Sequence, residues 1–460
     1  PCGVMRSNIP ERWVISYNTH MAVLGTIRTL RSALANKLTD PVRLAETALA
    51  NANLNPGHNT YLWQDRAWTR AEAERAIEMP GSDGGPFGDG RDALWGLPVS
   101  VKDCFDLAGS PTTCGTKFYR ELNGVAKRDS WVVERLRALG AVITGKTHLH
   151  ALAYGITGEN PEFGDSIQPG TSDSLTGGSS SGACASVLEG SAVAAIGTDT
   201  GGSVRVPAAL CGLAGYRASL GRGEWRGGAH LAESFDTLGW LFADLEEAPL
   251  LGGFFAQDEK NPEDVRAFPR FATVPDGFLH DCEPEIMASY RQTIAEFEAL
   301  GLRPSTIEVE WWEGARDILA PIQAWEAAAH HRGHFDRFEP AIRERLEWGA
   351  SIAEEEIADL RRRHAEFRSR MDELFEKHEL ILLPAAPVAV LRAGADHSQT
   401  RSRLLRYTVP FSLAGVPAVT IPCRPGGMQL ASARERDEDL LQFAALVGAH
   451  RKAAAGVNNS

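Results

Sequence analysis

Three short segments of the sequence hold residue types capable of nucleophilic chemistry: GLPVSVKD carries Lys102, TGGSSSGA carries Ser179 and GTDTGGSVRVP carries Ser203. A serine hydroxyl is a poor nucleophile near neutral pH and needs a proton acceptor within hydrogen-bond reach. Lysine can take that proton only when neutral, and burial away from anions moves its pKa in that direction. Singly, each segment has an ordinary explanation. A Gly-Gly-Ser run is most often a tight turn, and a lysine after a strand is most often a solvated end. Their order and separation, 77 positions and then 24, with paired glycines before each serine, set them apart.

Further segments follow in order: DLAGSPTTCG from Asp106 to Gly115, LGAVITGKT from Leu139 to Thr147, SFDTLG from Ser234 to Gly239, GVPAVTIP from Gly415 to Pro422 and GMQL from Gly427 to Leu430. With these, the sequence resembles the amidase-signature family of serine hydrolases from about Met21 onward. The resemblance implies a Ser-Ser-Lys triad without histidine, in which Ser203 is the nucleophile, Ser179 a bridging serine on a cis peptide, and Lys102 the base. It also implies that Asp199 and Arg205 fix the turn around Ser203 and that Ser180 adds a supporting hydrogen bond. Thr200, Gly201, Gly202 and Ser203 are small enough for their main-chain N–H groups to converge on the oxyanion of a tetrahedral intermediate. The implied reaction is cleavage of a C–N acyl bond through an acyl-enzyme that water then resolves. Amides are the expected substrates, with carbamates (a urethanase activity) and esters open to the same chemistry.

The chain departs from the family pattern at several places. Ser181 stands where glycine is usual, Leu175-Thr176 where proline often precedes the glycines, and Ala151 where glutamate is common. Tyr216 to Ser219 and Trp240 also differ, so substrate preference does not transfer from other members. Two other readings are an amidotransferase-type subunit transferring ammonia and a catalytically silent binding protein. Nothing in the sequence indicates the partners of the former, and the three intact residue types argue against the latter. A G-x-S-x-G nucleophile elbow centred on Ser180 is a further alternative, but it requires a preceding strand that Ser172 to Thr176 does not supply.

The elements that position these residues follow from periodicity. Leu24, Ile27, Leu30 and Leu34 form one helical face, and Asp40 with Pro41 starts a second helix carrying Val42, Leu44, Ala45, Ala48 and Leu49. Leu97 to Lys102 reads as a strand. A helix with Val132, Val133, Leu136 and Leu139 ends at Gly140 and passes into the β-branched run from Ala141 to Thr144. A small-residue helix from Ala183 to Leu188 and a buried strand from Ala192 to Gly197 come next, and strands return at Ile381 to Pro384 and Ala418 to Pro422, before a last helix from Asp437 to Val447. Alternation of this kind predicts an α/β fold, a mixed central sheet sandwiched by helices. The mixed-charge helical texture from Pro284 to His378 reads as a helical cap within one domain spanning 21–460. Pro80 to Asp92 reads as a loop, and residues 1–20 as a poorly ordered leader without the apolar core of a secretory signal.

Composition narrows the function class. At 460 residues with 43% hydrophobic and 23% charged residues, the chain has material for a large core. A formal charge of −13 opposes binding to phosphate backbones and anionic lipid, so neither nucleic acid nor a membrane is an expected partner. Seven scattered cysteines without a C-x-x-C pair read as free thiols in a reducing, cytoplasmic compartment. His330 and His334 sit four apart on a helix, the spacing of a two-imidazole metal site, but lack a third ligand and read as solvated or capping groups. No metal or cofactor is expected. Trp311, Trp312 and Trp325 are candidates for core or for a substrate funnel.

Overall fold

The structure, a computed structural model, describes residues 24–78, 93–255, 268 and 270–457. The leader 1–20 and the loop 80–92 expected from sequence lie outside the described residues. Among the described residues, apolar runs alternating with helices assemble a mixed sheet of eleven strands. In chain order these are β1 (Tyr61–Trp63), β2 (Pro98–Lys102), β3 (Val142–Thr147), β4 (Ala194–Asp199), β5 (Ala214–Arg217), β6 (Thr237–Phe242), β7 (Arg270–Thr273), β8 (Arg303–Thr306), β9 (Leu380–Pro384), β10 (Ala418–Pro422) and β11 (Gly427–Ser432). Their order across the sheet is β1-β3-β2-β4-β6-β5-β10-β11-β9-β7-β8.

β2 pairs in parallel with both β3 and β4, and every residue of the three strands is buried. Burial on both faces is what parallel strands covered by crossover helices require. The consequence for chemistry is directional. Lys102 ends β2 and Asp199 ends β4, so two parallel neighbours deliver the lysine and the serine-bearing turn to the same edge of the sheet. This is where open α/β sheets place their sites.

Local signals account for the helices near that edge. Asp40 caps the helix Pro41–Ala52 by accepting from Arg43 N at 2.9 Å, with Pro41 in its first turn. Ser130 caps the helix Trp131–Ala138. The helix Ser181–Leu188 packs on β2, β4 and β6, and the helix Arg205–Cys211 packs on β5, β10 and β11. Among the described residues no helix is long and apolar enough to cross a membrane.

The helical segment expected from Pro284 to His378 divides into two parts. Its first part belongs to the sheet layer: the helix Pro284–Ala299 packs on β8, β9 and β11, and Arg303–Thr306 is itself a strand, paired in parallel with β7. Sequence periodicity missed β8 because its burial pattern is nearly all exposed, which leaves no apolar alternation to read. The cap proper consists of the helices Ala315–His330, Pro340–Ser351 and Glu354–Lys377; the first packs on the other two, and the first and third pack on the helix Ser398–Ala414.

Gly140 makes the turn from helix to β3 at φ +78°, and a Cβ there would lie 2.8 Å from Trp95 Cα. Gly140→Ala is expected to destabilise the protein by at least about 2 kcal/mol, because left-handed backbone and a main-chain clash act together. A fall in the urea midpoint at unchanged m-value is the outcome to look for, and an unchanged midpoint would contradict the turn geometry.

Candidate active site

Lys102 is fully buried at the end of β2. Its Nζ lies 2.8 Å from Ser179 Oγ, 3.2 Å from Ser180 Oγ and 2.7 Å from Thr198 Oγ1. Every polar contact of the amine is thus a hydroxyl, and among the described residues no carboxylate comes within ion-pair distance. Burial dominates its titration and pushes the ammonium down to about 8. A second buried lysine, Lys146 on β3, provides the contrast. Its Nζ forms an ion pair with Asp103 at 2.6 Å and contacts Pro111 O and Thr112 Oγ1 at 2.7 Å each. Lys146 thus has a carboxylate partner, and Lys102 has none among the described residues.

Ser179 follows a cis peptide bond from Gly178, as the family resemblance implies. Ser180 Oγ donates to Thr198 O at 3.1 Å and accepts from Thr198 N at 3.3 Å, which ties this segment to the end of β4. No strand precedes the segment; Leu175 and Ser174 make only isolated bridges, to Ile167 and Arg392. The elbow reading around Ser180 therefore lacks its structural context.

The turn carrying Ser203 is built around Asp199. Its Oδ1 accepts from Gly202 N, Arg205 Nη2 and Arg217 Nη1, each at 2.9 Å, and its Oδ2 accepts from Val204 N at 3.1 Å and Arg205 Nε at 3.0 Å. Burial alone would raise the pKa of this carboxyl, but the charges of Arg205 and Arg217 outweigh it and hold the group well below the usual range. Burial and the neighbouring Arg205 lower Arg217 only to about 10, so its guanidinium remains charged near neutral pH. Arg205 extends the network to Thr408 O at 2.9 Å, Gln429 Oε1 at 2.8 Å and Ser412 Oγ at 2.6 Å. Thr200 Oγ1 donates to Asp236 Oδ1 at 2.6 Å, and Asp236 Oδ2 accepts from Leu231 N and Ala232 N.

Two details differ from the sequence expectation. The N–H of Gly202, expected among four oxyanion donors, is engaged by Asp199; the N–H groups of Thr200, Gly201 and Ser203 make no hydrogen bond among the described residues. The carboxylate that shapes the turn takes up that donor, leaving three. Gly202 is required for another reason: at φ +132°, a Cβ would lie 2.6 Å from Thr408 Oγ1. The second detail concerns Ser203. Its main-chain O accepts from Ser180 N at 3.2 Å, so the two serine segments are in contact, but no hydrogen bond joins Ser203 Oγ to Ser179. Ser203 is 5% exposed where Ser179 is 0%, so the nucleophile candidate is the more accessible of the two serines.

Sequence reasoning singled out Lys102, Ser179, Ser180, Asp199, Ser203 and Arg205, and the structure brings them together. It missed Thr198, Arg217, Asp236, Lys146 and Asp103. Asp103 adjoins Lys102 and Thr198 adjoins Asp199, so proximity in sequence was the available signal for those two; the others come from separate elements. His330 and His334 do not converge: the ring of His330 lies 6.2 Å from that of His230, and His334 lies 5.0 Å from Phe118. Trp312 is buried against Phe278 and Phe411. It also lines a cleft of about 260 Å³ with Leu405, Val409 and the charged Glu313, Arg316, Asp317, Arg403 and Arg406.

A family model described as Amidase matches residues 43–441. Indoleacetamide hydrolase of Pseudomonas savastanoi is 31% identical over 428 residues, covering 87% of this chain and 90% of that protein. A glutamyl-tRNA(Gln) amidotransferase component of Roseiflexus castenholzii is 28% identical and covers 91% of this chain and 94% of its own length. The crystal structure of an amidase superposes with a TM-score of 0.83 at 29% identity, covering 92% of this chain and 99% of the other. The chain belongs to the amidase family, with the amidase-signature fold, and is a hydrolase acting on carbon–nitrogen bonds.

Proposed function

We propose that the chain is a Ser-Ser-Lys amidase in which Ser203 attacks the acyl carbon, Ser179 relays the proton and Lys102 receives it. The observation that carries this reading is the buried Lys102 amine, 2.8 Å from Ser179 Oγ and without a carboxylate partner among the described residues. A neutral amine takes the Ser179 proton as Ser179 takes the proton of Ser203. The new bond forms between Ser203 Oγ and the acyl carbon. The free N–H groups of Thr200, Gly201 and Ser203 are oriented by the Asp199 turn and receive the negative oxygen. The proton returns through Ser179 to the leaving nitrogen, the C–N bond breaks, and water repeats the sequence on the acyl-enzyme with Lys102 again as acceptor.

The substrate proposed is a neutral amide. A carbamate would give a carbonate-type ester on Ser203 and an ester would give the same acyl-enzyme, so both fall within the chemistry. The relative named indoleacetamide hydrolase supports a primary amide bearing a bulky aromatic acyl group. Trp312, Leu405 and Val409 supply the apolar part of the neighbouring cleft, which Glu313, Arg316, Asp317, Arg403 and Arg406 also line; Leu405 packs on the Gly201 turn, 3.3 Å from where a Cβ would stand. Asp199 and Arg205 are assigned the shaping of the turn and Ser180 the support of the lysine. The described cysteines, Cys104, Cys114, Cys184, Cys211, Cys282 and Cys423, are free thiols, which supports a reducing, cytoplasmic location. One domain from residue 21 onward, with the cap carried by the sheet, remains the proposed organisation.

Ser203→Ala and Lys102→Met are each expected to lower kcat by about 10³-fold or more, as removing one member of a catalytic unit does in other hydrolases. A fluorophosphonate should label the wild type on the Ser203 peptide and leave Ser203→Ala unlabelled. Wild-type turnover by Lys102→Met would remove the proposed base. The acid limb gives an independent check, since only the uncharged amine accepts a proton. On a panel of aryl amides, primary amides, carbamates and esters, kcat/KM should fall about ten-fold per pH unit below an apparent pKa near 8 and level off above it. A flat profile down to pH 6 would contradict the assignment.

A further inference from the structure

The helix Ser181–Leu188 begins immediately after Ser179 and Ser180, yet its N-cap residue makes no side-chain capping bond. A serine at this position ordinarily accepts an N–H from the first helical turn. Ser180 cannot do so, because its hydroxyl is committed to Lys102, Thr198 O and Thr198 N. The open helix end is met from outside by His148, which follows β3. The carbonyl of His148 accepts from Gly182 N at 3.0 Å, and His148 N is anchored to Thr60 O at 2.9 Å. Gly182 permits this approach, since a Cβ there would lie 2.2 Å from Thr60 O and 2.5 Å from His148 N.

The imidazole completes the arrangement. Its Nε2 lies 2.8 Å from Gly164 O, a group that can only accept, so Nε2 carries the hydrogen. Nδ1 is therefore the acceptor and takes the hydroxyl of Ser181 at 2.7 Å. Both residues are fully buried, and burial pushes the imidazole down to about 4, so it stays neutral and keeps its acceptor through the working pH range. The side chains of this Ser–His pair make no hydrogen bond to Lys102, Ser179 or Ser203, so the pair stands outside the proposed proton path. Ser181 is the position where the chain carries a hydroxyl in place of the family's usual glycine.

We propose that His148 and Ser181 form an external cap of this helix that frees Ser180 for Lys102, and that both are positioning residues for the Lys102–Ser179–Ser180 network. The inference rests on the Ser-Ser-Lys reading above. Ser181→Ala and His148→Leu are each expected to lower kcat by about ten-fold or more at unchanged KM, since small displacements of reacting groups are costly. Rates are taken per active site titrated with fluorophosphonate, so loss of folded protein does not register. The double variant should be no worse than the more severe single one, and His148→Asn, whose amide oxygen can stand where Nδ1 stands, should recover most of kcat. An unchanged kcat per titrated site in Ser181→Ala, or strictly additive losses in the double variant, would overturn the positioning role. If instead Lys102→Met turned over normally while His148→Leu were inactive, the Ser-Ser-Lys reading itself would fall. Inactive Lys102→Met beside unaffected Ser181→Ala would sink only the cap.

Discussion

An amine surrounded by hydroxyls and kept away from carboxylates is the constraint on which the site depends. A lysine moved from 10.5 to about 8 has lost roughly 3 kcal/mol of its preference for the charged form. About a tenth of the molecules then hold a free amine at pH 7. One unpaired carboxylate beside Nζ would reverse this. The fold prevents it by occupation: Asp103 is paired with Lys146, Asp199 is shared by Arg205 and Arg217, and Asp236 is saturated by Thr200 and two main-chain N–H groups. Each of these carboxylates is held by another group.

This arrangement explains why buried arginines are tolerated beside Ser203. Burying an ion is costly unless paired and hydrogen-bonded, and two guanidiniums around one carboxylate leave a net positive charge. The surplus is spread over main-chain and side-chain acceptors, with Arg205 reaching Thr408 O, Gln429 Oε1 and Ser412 Oγ and Arg217 reaching Phe235 O.

What was legible in the sequence was local. Asp40 and Ser130 announce helix starts, Gly140 marks a helix end, and Gly177 to Gly182 identifies a turn because each glycine and small residue acts through its own backbone. Lys102, Ser179 and Ser203 were found through the order of their motifs. Arg217 and Asp236 were not, since a partner contributed by another strand or loop leaves no mark at its own position. The four-donor expectation for the oxyanion failed at Gly202 for the same reason: Asp199 lies three positions away, and only the folded turn shows that it takes that N–H. β8 was invisible because it is defined by pairing with β7 and not by its own composition.

The helix Ser398–Ala414 joins two regions that otherwise differ in what they tolerate. One side packs on the cap helices, while Thr408 hydrogen-bonds Gly201 O and Ser412 receives Arg205. A displacement of this single rod would therefore be transmitted to the cap and to the Ser203 turn at once, so neither region can be repacked against it independently of the other.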